Sequence, residues 1–362
     1  MSKVHNFSAG PSILNQGVLK KASEAVVNFN NLNLSILEIS HRSKDFVAVM
    51  DNAVALVKEI LNVPKGYSVL FLQGGASTGF LNTVFNFMNK KGTGAYLNTG
   101  AWSKKALKEA EKLGKLNMVA SSEDKNFNYI PKGYSVPKDS DYFHITTNNT
   151  IFGTQIKDIP IQDGTLLIAD MSSDIFSRKI NVSDYAMIYA GAQKNLGPAG
   201  TTLYIVKDDL LGKTDRTIPT MLDLSVHAAK GSMFNTPPVY PIYVSMLTLE
   251  WLNSNGGIEW IEKVNEEKAA LLYNEIDSNP LFKGTAAIED RSNMNATFIL
   301  TNQDIKEDFD QMWKEAGISG INGHRDVGGY RASIYNAMPI ESIQVLVNTM
   351  KQLATKFDLV NK

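Results

Sequence analysis

The chain has 362 residues, and its 36 Lys and Arg against 37 Asp and Glu give a formal net charge of −1. No global field would draw it to nucleic acid or an anionic membrane, so any anion recognition must be local. The absence of cysteine excludes disulfides, thiolate metal sites and cysteine nucleophiles. Because no signal-peptide core or run of 18 apolar residues is found, we expect a cytoplasmic protein. We assign no metal site.

Strands and helices are predicted to alternate through the first part of the chain. Helices are predicted over residues 18–28 and 47–61, the second with apolar residues at helical spacing. Strands are predicted over 69–72, 94–97, 118–120, 142–146, 165–169, 186–189 and 202–206, with helices over 77–89 and 103–113. This alternation predicts a largely parallel sheet covered on both faces, with ligands beyond the carboxyl ends of its strands.

Long helices dominate the prediction for the rest of the chain. Thr236-Pro237-Pro238 is expected to open a helix to about residue 252, with the threonine as cap and a proline in the first turn. Gly256-Gly257 is expected to stop it. A helix over 258–276, strands over 296–300 and 330–334, and a closing amphipathic helix follow, the last with one apolar face formed by Ile343, Leu346, Val347, Met350, Leu353 and Phe357.

The length of the chain suits two domains. We expect an N-terminal segment over residues 1–15, a large α/β domain over 16–257 and a smaller α+β domain over 258–362.

Two charged residues follow the ends of predicted strands. Asp170 comes directly after the strand 165–169, and Lys194 follows the strand 186–189 and a small-residue turn. A pyridoxal phosphate enzyme needs such a pair, because the amine forms a Schiff base and the acid keeps the pyridinium nitrogen protonated. Each residue alone has an ordinary explanation, as a solvated lysine or a turn-capping acid. The pair together predicts the cofactor.

A glycine-rich turn, Gln73-Gly74-Gly75-Ala76-Ser77-Thr78-Gly79, lies between a predicted strand and a helix. Its free N–H groups and the helix dipole suit a phosphate. The turn matches neither the dinucleotide fingerprint nor a P-loop, and alone it is more often an ordinary connection. Trp102, after the strand 94–97, is suited to stacking on a planar ring, although a partly buried core aromatic is the alternative.

Five blocks of the sequence resemble the phosphoserine aminotransferase family, within the class V pyridoxal-phosphate-dependent aminotransferases. They are NFSAGP at 6–11, SHRS at 40–43, AGAQKN at 190–195, SMFNTPP at 232–238, and GHR at 323–325 through RASIYN at 331–336. The resemblance therefore covers essentially the whole chain. It implies the fold type I of these transferases, with a mostly parallel mixed sheet in the large domain and a smaller α+β C-terminal domain.

The resemblance also implies the cofactor-binding residues. Lys194 would carry the covalent link and act as the catalytic residue. Around the ring, Asp170 would bind the nitrogen, Trp102 would stack, and Thr150 would contact the region of the 3′-oxygen. The phosphate would lie on Ala76, Ser77 and Gln193, with Asn235 and Thr236 from the partner subunit of a homodimer. Some relatives have arginine where this chain has Ser77, so phosphate binding here must rely more on the helix dipole and neutral hydrogen bonds.

The substrates implied are L-glutamate and 3-phosphohydroxypyruvate, converted reversibly to 2-oxoglutarate and phosphoserine in serine biosynthesis. Arg331 would clamp a carboxylate, since a guanidinium grips both oxygens. His324 and Arg325 would bind the phosphate, with His41 and Arg42 from the neighbouring subunit. Use of 4-phosphohydroxythreonine in pyridoxine biosynthesis is left open.

Several other functions compete with this interpretation. Another aminotransferase on the same scaffold, such as an alanine–glyoxylate type, would not need two His-Arg pairs. A cysteine desulfurase needs a catalytic thiol, which this chain lacks. A cofactor-binding regulatory protein would normally carry a DNA-binding module, and an NAD-dependent oxidoreductase would need the glycine fingerprint; neither is found.

Overall fold

The computed structural model describes residues 4–160 and 164–360. The outermost residues of the predicted N-terminal segment and small domain, 1–3 and 361–362, lie outside the described residues. The helices are α1 Gln16–Val27, α2 Lys44–Ile60, α3 Gly75–Phe87, α4 Ala101–Glu111, α5 Leu224–Ala229, α6 Val239–Ser254, α7 Gly257–Ser278, α8 Lys306–Glu315 and α9 Ile340–Val360. Within the described ranges, no helix is both long and apolar enough to span a membrane.

The strands are numbered in chain order. They are β1 His5–Asn6, β2 Tyr67–Leu72, β3 Thr93–Asn98, β4 Lys115–Ser121, β5 Tyr142–Thr146, β6 Asn148–Asn149, β7 Thr154–Gln155, β8 Leu167–Asp170, β9 Met187–Gly191, β10 Thr202–Lys207, β11 Phe282–Gly284, β12 Asn295–Leu300, β13 Ile318–Ser319 and β14 Tyr330–Ser333.

A seven-stranded sheet in the order β2-β10-β9-β8-β5-β3-β4 forms the centre of the molecule. Strand β10 runs antiparallel to both of its neighbours, whereas every other neighbouring pair in this sheet is parallel. The prediction of a largely parallel sheet is therefore confirmed. Every residue of β5, β8 and β9 is buried, as expected for central strands covered on both faces.

Two hydrophobic cores cover the two faces of this sheet. Along β2, Val69 and Phe71 join the core formed with α1, α2 and α6. Leu70 and Leu72 point the other way, into the core formed with α3 and α4. This alternation follows from the two-residue period of a strand, and it places α3 and α4 on the same side of the sheet.

The start of α6 differs from the prediction. The helix begins at Val239, with Pro238 at its cap position and no side-chain cap, so the expected capping by Thr236 is wrong. The physical reason is the proline pair, since a residue that precedes proline is driven out of the helical region. Helix α6 already ends at Ser254, and Gly256, with φ of 108°, is the N-cap of α7 rather than the end of α6.

A third core is built from α7, α8, α9 and the sheet β11-β12-β14. The predicted strands over 296–300 and 330–334 and the closing helix are confirmed, whereas α8 and β11 were not predicted. The N-terminal segment joins this core, because β1 pairs in parallel with β13 and Phe7 is completely buried there. The domain boundaries remain a prediction, and we propose to keep the division at residue 257.

Close packing between α3 and the sheet generates a stability prediction. A Cβ at Gly79 would lie 2.5 Å from Cδ2 of Tyr189, a fully buried ring in β9. Although alanine is the better helix former by about 1 kcal/mol, the ring has no room to move. We therefore expect Gly79→Ala to lower the free energy of unfolding by about 1–3 kcal/mol in urea denaturation.

Gly17→Ala in α1 is the control for this substitution. The nearest atom to a Cβ there is Oδ1 of Asn15, at 3.1 Å near the surface. The change in unfolding free energy should stay within about 0.5 kcal/mol. Equal effects of the two substitutions would contradict the importance of this helix–sheet contact.

Candidate active site

A cavity of about 370 Å³ lies beyond the carboxyl ends of β5, β8 and β9. This is where ligands bind in parallel α/β sheets, because the strand ends and the following loops converge there. The lining combines strand-end residues with residues of α3, α4 and the C-terminal core. It consists of Ala9, Gly10, Ala76, Ala101, Trp102, Lys105, Thr146, Asn148, Thr150, Ile151, Asp170, Ser172, Ser173, Gln193, Lys194, His324, Arg325, Asp326 and Arg331.

Asp170 is the last residue of β8 and is only 4% exposed. Its Oδ1 accepts hydrogen bonds from the backbone N–H of Ser172 at 2.9 Å and from the Ser172 hydroxyl at 2.6 Å. Burial raises the pKa of Asp170, while the bonds from Ser172 and the charge of Lys194 oppose that increase. The carboxyl group is thus fixed in place and still exposed to the cavity.

Lys194 lies in the turn after β9 and is 9% exposed. Its Nζ donates to Oγ1 of Thr150 at 2.9 Å and lies 5.9 Å from the ring centroid of Trp102. The pKa of Lys194 is lowered to about 8, chiefly by burial; Asp170 opposes this decrease and Arg331 adds to it. A lysine with such a pKa is partly neutral near physiological pH, which is what a nucleophilic amine requires.

The N-terminus of α3 forms another part of the cavity wall, through Ala76. Gly74 precedes the helix with φ of 107°, and a Cβ there would lie 2.0 Å from Oγ1 of Thr78, so glycine is required. Because α3 has no side-chain cap, its first-turn N–H groups remain available for an anion. Ala76 lines the cavity, whereas Ser77 is exposed and does not.

The C-terminal core supplies the cationic part of the cavity. Arg331 lies in β14 and donates from Nη1 to the carbonyl of Thr150 at 3.4 Å. His324 and Arg325 lie in the loop before β14, and Asp326 contacts both, at 3.4 Å from Nδ1 and 3.7 Å from Nε respectively. Two arginines and a histidine therefore border the same space as Lys194.

The buried polar atoms around the cavity test whether a pyridoxal phosphate would fit. Three buried atoms find no hydrogen-bond partner among the described residues: Nε1 of Trp102, Oγ1 of Thr146 and Nε of Arg331. Buried polar atoms normally have partners, so a polar ligand is expected here. An acid, an amine, an aromatic ring and free helix amides are the groups that bind the ring nitrogen, aldehyde, ring face and phosphate. The residues present fit this cofactor.

Five of the predicted site residues lie outside the cavity: Ser77, as described above, and four residues that were expected to act on a partner subunit's site. Asn235 and Thr236 are exposed, and Asn235 lines a separate cavity of about 200 Å³. His41 is half-buried, and its Nε2 has no partner in the part of the chain that the structure describes; Arg42 is exposed. Because these four residues were expected to act on a partner subunit's site, their roles remain predictions.

Sequence reasoning missed several residues of the cavity. Lys105 lies one helical turn after Trp102, and its Nζ is 4.4 Å from the centroid of that ring. Spacing by three residues on a helix was a signal that could have identified it. Thr146 and Ser172 lie at or next to the ends of predicted strands, so their position near Asp170 could also have been predicted from the sequence. Asn148, in contrast, became visible only in the folded chain.

Comparison with known proteins identifies the class to which this fold and site belong. The sequence profile described as Aminotransferase class-V matches residues 4–346. The chain belongs to this family.

More specific relatives cover nearly the whole chain. A phosphoserine aminotransferase of Flavobacterium johnsoniae is 61% identical and covers 98% of this chain and 99% of its own. The solved phosphoserine aminotransferase of Bacillus circulans subsp. alkalophilus is similar, with 40% identity, coverage of 98% and 99%, and a TM-score of 0.95. A phosphoserine aminotransferase of Trichomonas vaginalis, solved with pyridoxal phosphate bound, has 34% identity, coverage of 96% and 100%, and a TM-score of 0.92. The predicted fold class is confirmed.

The charges around Lys194 generate a pH prediction for the cofactor-free protein. Labelling of this amine by a small acylating reagent should be half-maximal near pH 8, the value to which burial lowers its pKa. Asp170→Asn removes an anion that raises this pKa, so the midpoint should move down. Arg331→Gln removes a cation that lowers it, so the midpoint should move up. Peptide mass spectrometry at each pH measures the labelled fraction.

Asp170→Asn and Arg331→Gln are expected to shift the midpoint in opposite directions, so each is a control for the other. A midpoint near the value of about 10.4 that is normal for exposed lysine would contradict the burial of Lys194. Shifts in the same direction for both variants would instead indicate a general rearrangement of the cavity.

Proposed function

We propose that this protein catalyses the phosphoserine aminotransferase reaction, the reversible transfer of the amino group of L-glutamate to 3-phosphohydroxypyruvate. The observation that carries the proposal is one cavity in which a buried lysine of lowered pKa and a buried acid adjoin two arginines and a histidine. The first pair suits pyridoxal phosphate, and the cations suit a substrate with two anionic groups. The names of the relatives, at up to 61% identity over nearly full length, support the same activity.

The cofactor, when bound, supplies an electron sink that stabilises negative charge developing at the α-carbon of an amino acid. In our proposal Asp170 holds the ring nitrogen, Trp102 lies against the ring, and Thr150 binds near the 3′-oxygen. Ala76, Ser77 and Gln193 hold the phosphate. Lys194 provides the amine for the covalent link.

Lys194 also has the properties of the base in the reaction. Because part of the Lys194 amine is neutral near pH 8, Nζ can accept the α-proton of the bound amino acid. The same amine can give the proton back later in the transfer of the amino group. The Thr150 hydroxyl, which accepts from Nζ at 2.9 Å, fixes the position of the amine. Burial of the site restricts water, which would otherwise compete for the proton.

Substrate recognition falls to the cationic groups. Arg331 would hold the α-carboxylate, since its unpartnered Nε can complete a bidentate pair. His324 and Arg325 would bind the phosphate of the keto acid or the side-chain carboxylate of glutamate. The groups that would bind the substrate belong to the C-terminal core, whereas Lys194 follows a strand of the central sheet. Substrate binding and proton transfer are therefore carried out by different parts of the fold.

We further propose a homodimer in which His41, Arg42, Asn235 and Thr236 complete the site of the partner subunit. A group of apolar side chains just before His41 is exposed in the single chain: Val27 is 80% exposed, Leu32 40%, Leu34 48% and Leu37 61%. Exposed apolar side chains that are concentrated in one segment of the chain are a feature of protein interfaces. A cytoplasmic location and a second role in pyridoxine biosynthesis, through 4-phosphohydroxythreonine, belong to the same proposal.

The absorption spectrum of the purified protein tests the cofactor and the first half of the reaction. Protein loaded with pyridoxal phosphate should show a visible band that bleaches on addition of L-glutamate. Lys194→Ala should retain bound cofactor but lose turnover by about 10³-fold or more, because the amine that moves the α-proton is absent. Lys20→Ala, in the exposed face of α1, is the control and should behave as wild type. Undiminished turnover in Lys194→Ala would contradict the assignment.

Preference for a phosphorylated substrate separates this proposal from an alanine–glyoxylate type of aminotransferase. Arg325→Gln should lower kcat/KM for 3-phosphohydroxypyruvate by about 10–100-fold, the effect of losing one charged hydrogen bond. The same variant should leave kcat/KM for pyruvate unchanged. Arg325→Lys should recover part of the loss, since it keeps the positive charge. A wild-type enzyme that prefers pyruvate or glyoxylate would favour the rival function.

A further inference from the structure

Ser172 joins the two strand ends that carry Asp170 and Lys194. Its hydroxyl donates to Oδ1 of Asp170 at 2.6 Å, and its backbone N–H donates to the same oxygen at 2.9 Å. The hydroxyl oxygen accepts the N–H of Gly191, the last residue of β9, at 3.1 Å. Because Ser172 is only 6% exposed, bulk water does not compete for these bonds. A single hydroxyl thus connects the end of β8 to the end of β9.

The direction of these bonds determines how the hydroxyl acts on the carboxyl group. A serine hydroxyl has one proton, and the N–H of Gly191 can only donate, so the proton must point to Asp170. A donor to a carboxylate stabilises its ionised form. Burial has the opposite effect and raises the pKa of Asp170. Ser172 therefore helps to keep a desolvated acid negatively charged.

The same bonds orient the carboxylate. Both end on Oδ1, and among the described residues no hydrogen bond reaches Oδ2. Lys194 forms no ion pair with Asp170 within 4.0 Å, although the charge of Lys194 lowers the pKa of Asp170. Asp170 and Ser172 both line the cavity. Oδ2 is thus the oxygen left for a donor that enters the space between the acid and the lysine.

We propose that Ser172 is a positioning residue for the cofactor: its hydroxyl fixes the ionised Asp170 carboxylate so that Oδ2 can accept the N–H of the pyridinium ring. This inference rests on the proposed function and adds a residue to it. In this role Ser172 acts on the ring through Asp170. Its effect is therefore confined to ligands whose ring carries an N–H.

Two ligands that differ only at the ring nitrogen test this role. The cofactor-free protein is titrated with pyridoxal phosphate and with its 1-deaza analogue, which has carbon in place of that nitrogen, and tryptophan fluorescence reports binding. Ser172→Ala removes the hydroxyl but keeps the backbone donor. We expect about tenfold weaker binding of pyridoxal phosphate, as for one lost hydrogen bond to a charged group. Binding of the deaza analogue should not change.

Two further substitutions at the same position sharpen the test. Ser172→Cys keeps a side chain of similar size but replaces a strong donor with a weak one, so it should follow the pattern of Ser172→Ala. Ser172→Thr keeps the hydroxyl and should retain the wild-type ratio of the two affinities. The matched control is Ser177→Ala, because Ser177 is buried in the same loop but donates to the carbonyl of Asp174, at 2.7 Å. It should leave both affinities unchanged.

The outcomes separate the two levels of the proposal. Equal weakening of both ligands in Ser172→Ala and Ser172→Cys, or no weakening of either, would overturn the role of Ser172. A wild-type protein that binds both ligands equally would overturn the link from Asp170 to the ring nitrogen, and the role of Ser172 with it. A wild-type protein that binds neither ligand would contradict the proposed cofactor itself.

Discussion

The structure depends on two opposite charges that are buried in one cavity without neutralising each other. Asp170 and Lys194 are both less than a tenth exposed, yet they do not form an ion pair. Unpaired buried charges are costly, so each needs compensation from fixed hydrogen bonds. Ser172 provides this for the acid, while the lysine donates to Thr150 and has its pKa lowered to about 8. The separation of the two charges leaves room for a ring.

Buried polar contacts tie the C-terminal core to this arrangement. Oδ1 of Asn195, next to Lys194, accepts the N–H of Asn336 at 3.0 Å, and the side chain of Asn336 is in turn bonded to Asn265 in α7 at 2.9 Å. Buried hydrogen bonds, which water does not compete for, hold together the parts that they join. The network fixes the strand that carries Arg331 relative to the turn that carries Lys194. Arg331 and Lys194 therefore keep a fixed relative position although they belong to different parts of the fold.

Much of the fold followed from the sequence because its signals are local. The central strands are short apolar runs, and the closing helix has one apolar face, so both were located to within a few residues. Helix α8 was missed although Phe309, Met312 and Trp313 have helical spacing, because this apolar face is short and the rest of the helix is polar. The Thr236 cap failed because the conformation that each proline imposes on the preceding residue outweighs a favourable capping side chain. Short strands such as β1 gain their pairing from distant partners, which no local pattern reveals.

The sequence by itself determined the chemistry of this protein: an acid and a lysine after strands, a glycine turn before a helix, and two His-Arg pairs, together with the family that they resemble. Only the tertiary structure decided which of these share a cavity. It brought Asp170, Lys194, Trp102 and Arg331 together and added Lys105 and Ser172. The physical reason is that strand order, burial and the lowered pKa of the lysine all arise from contacts between residues far apart in the chain.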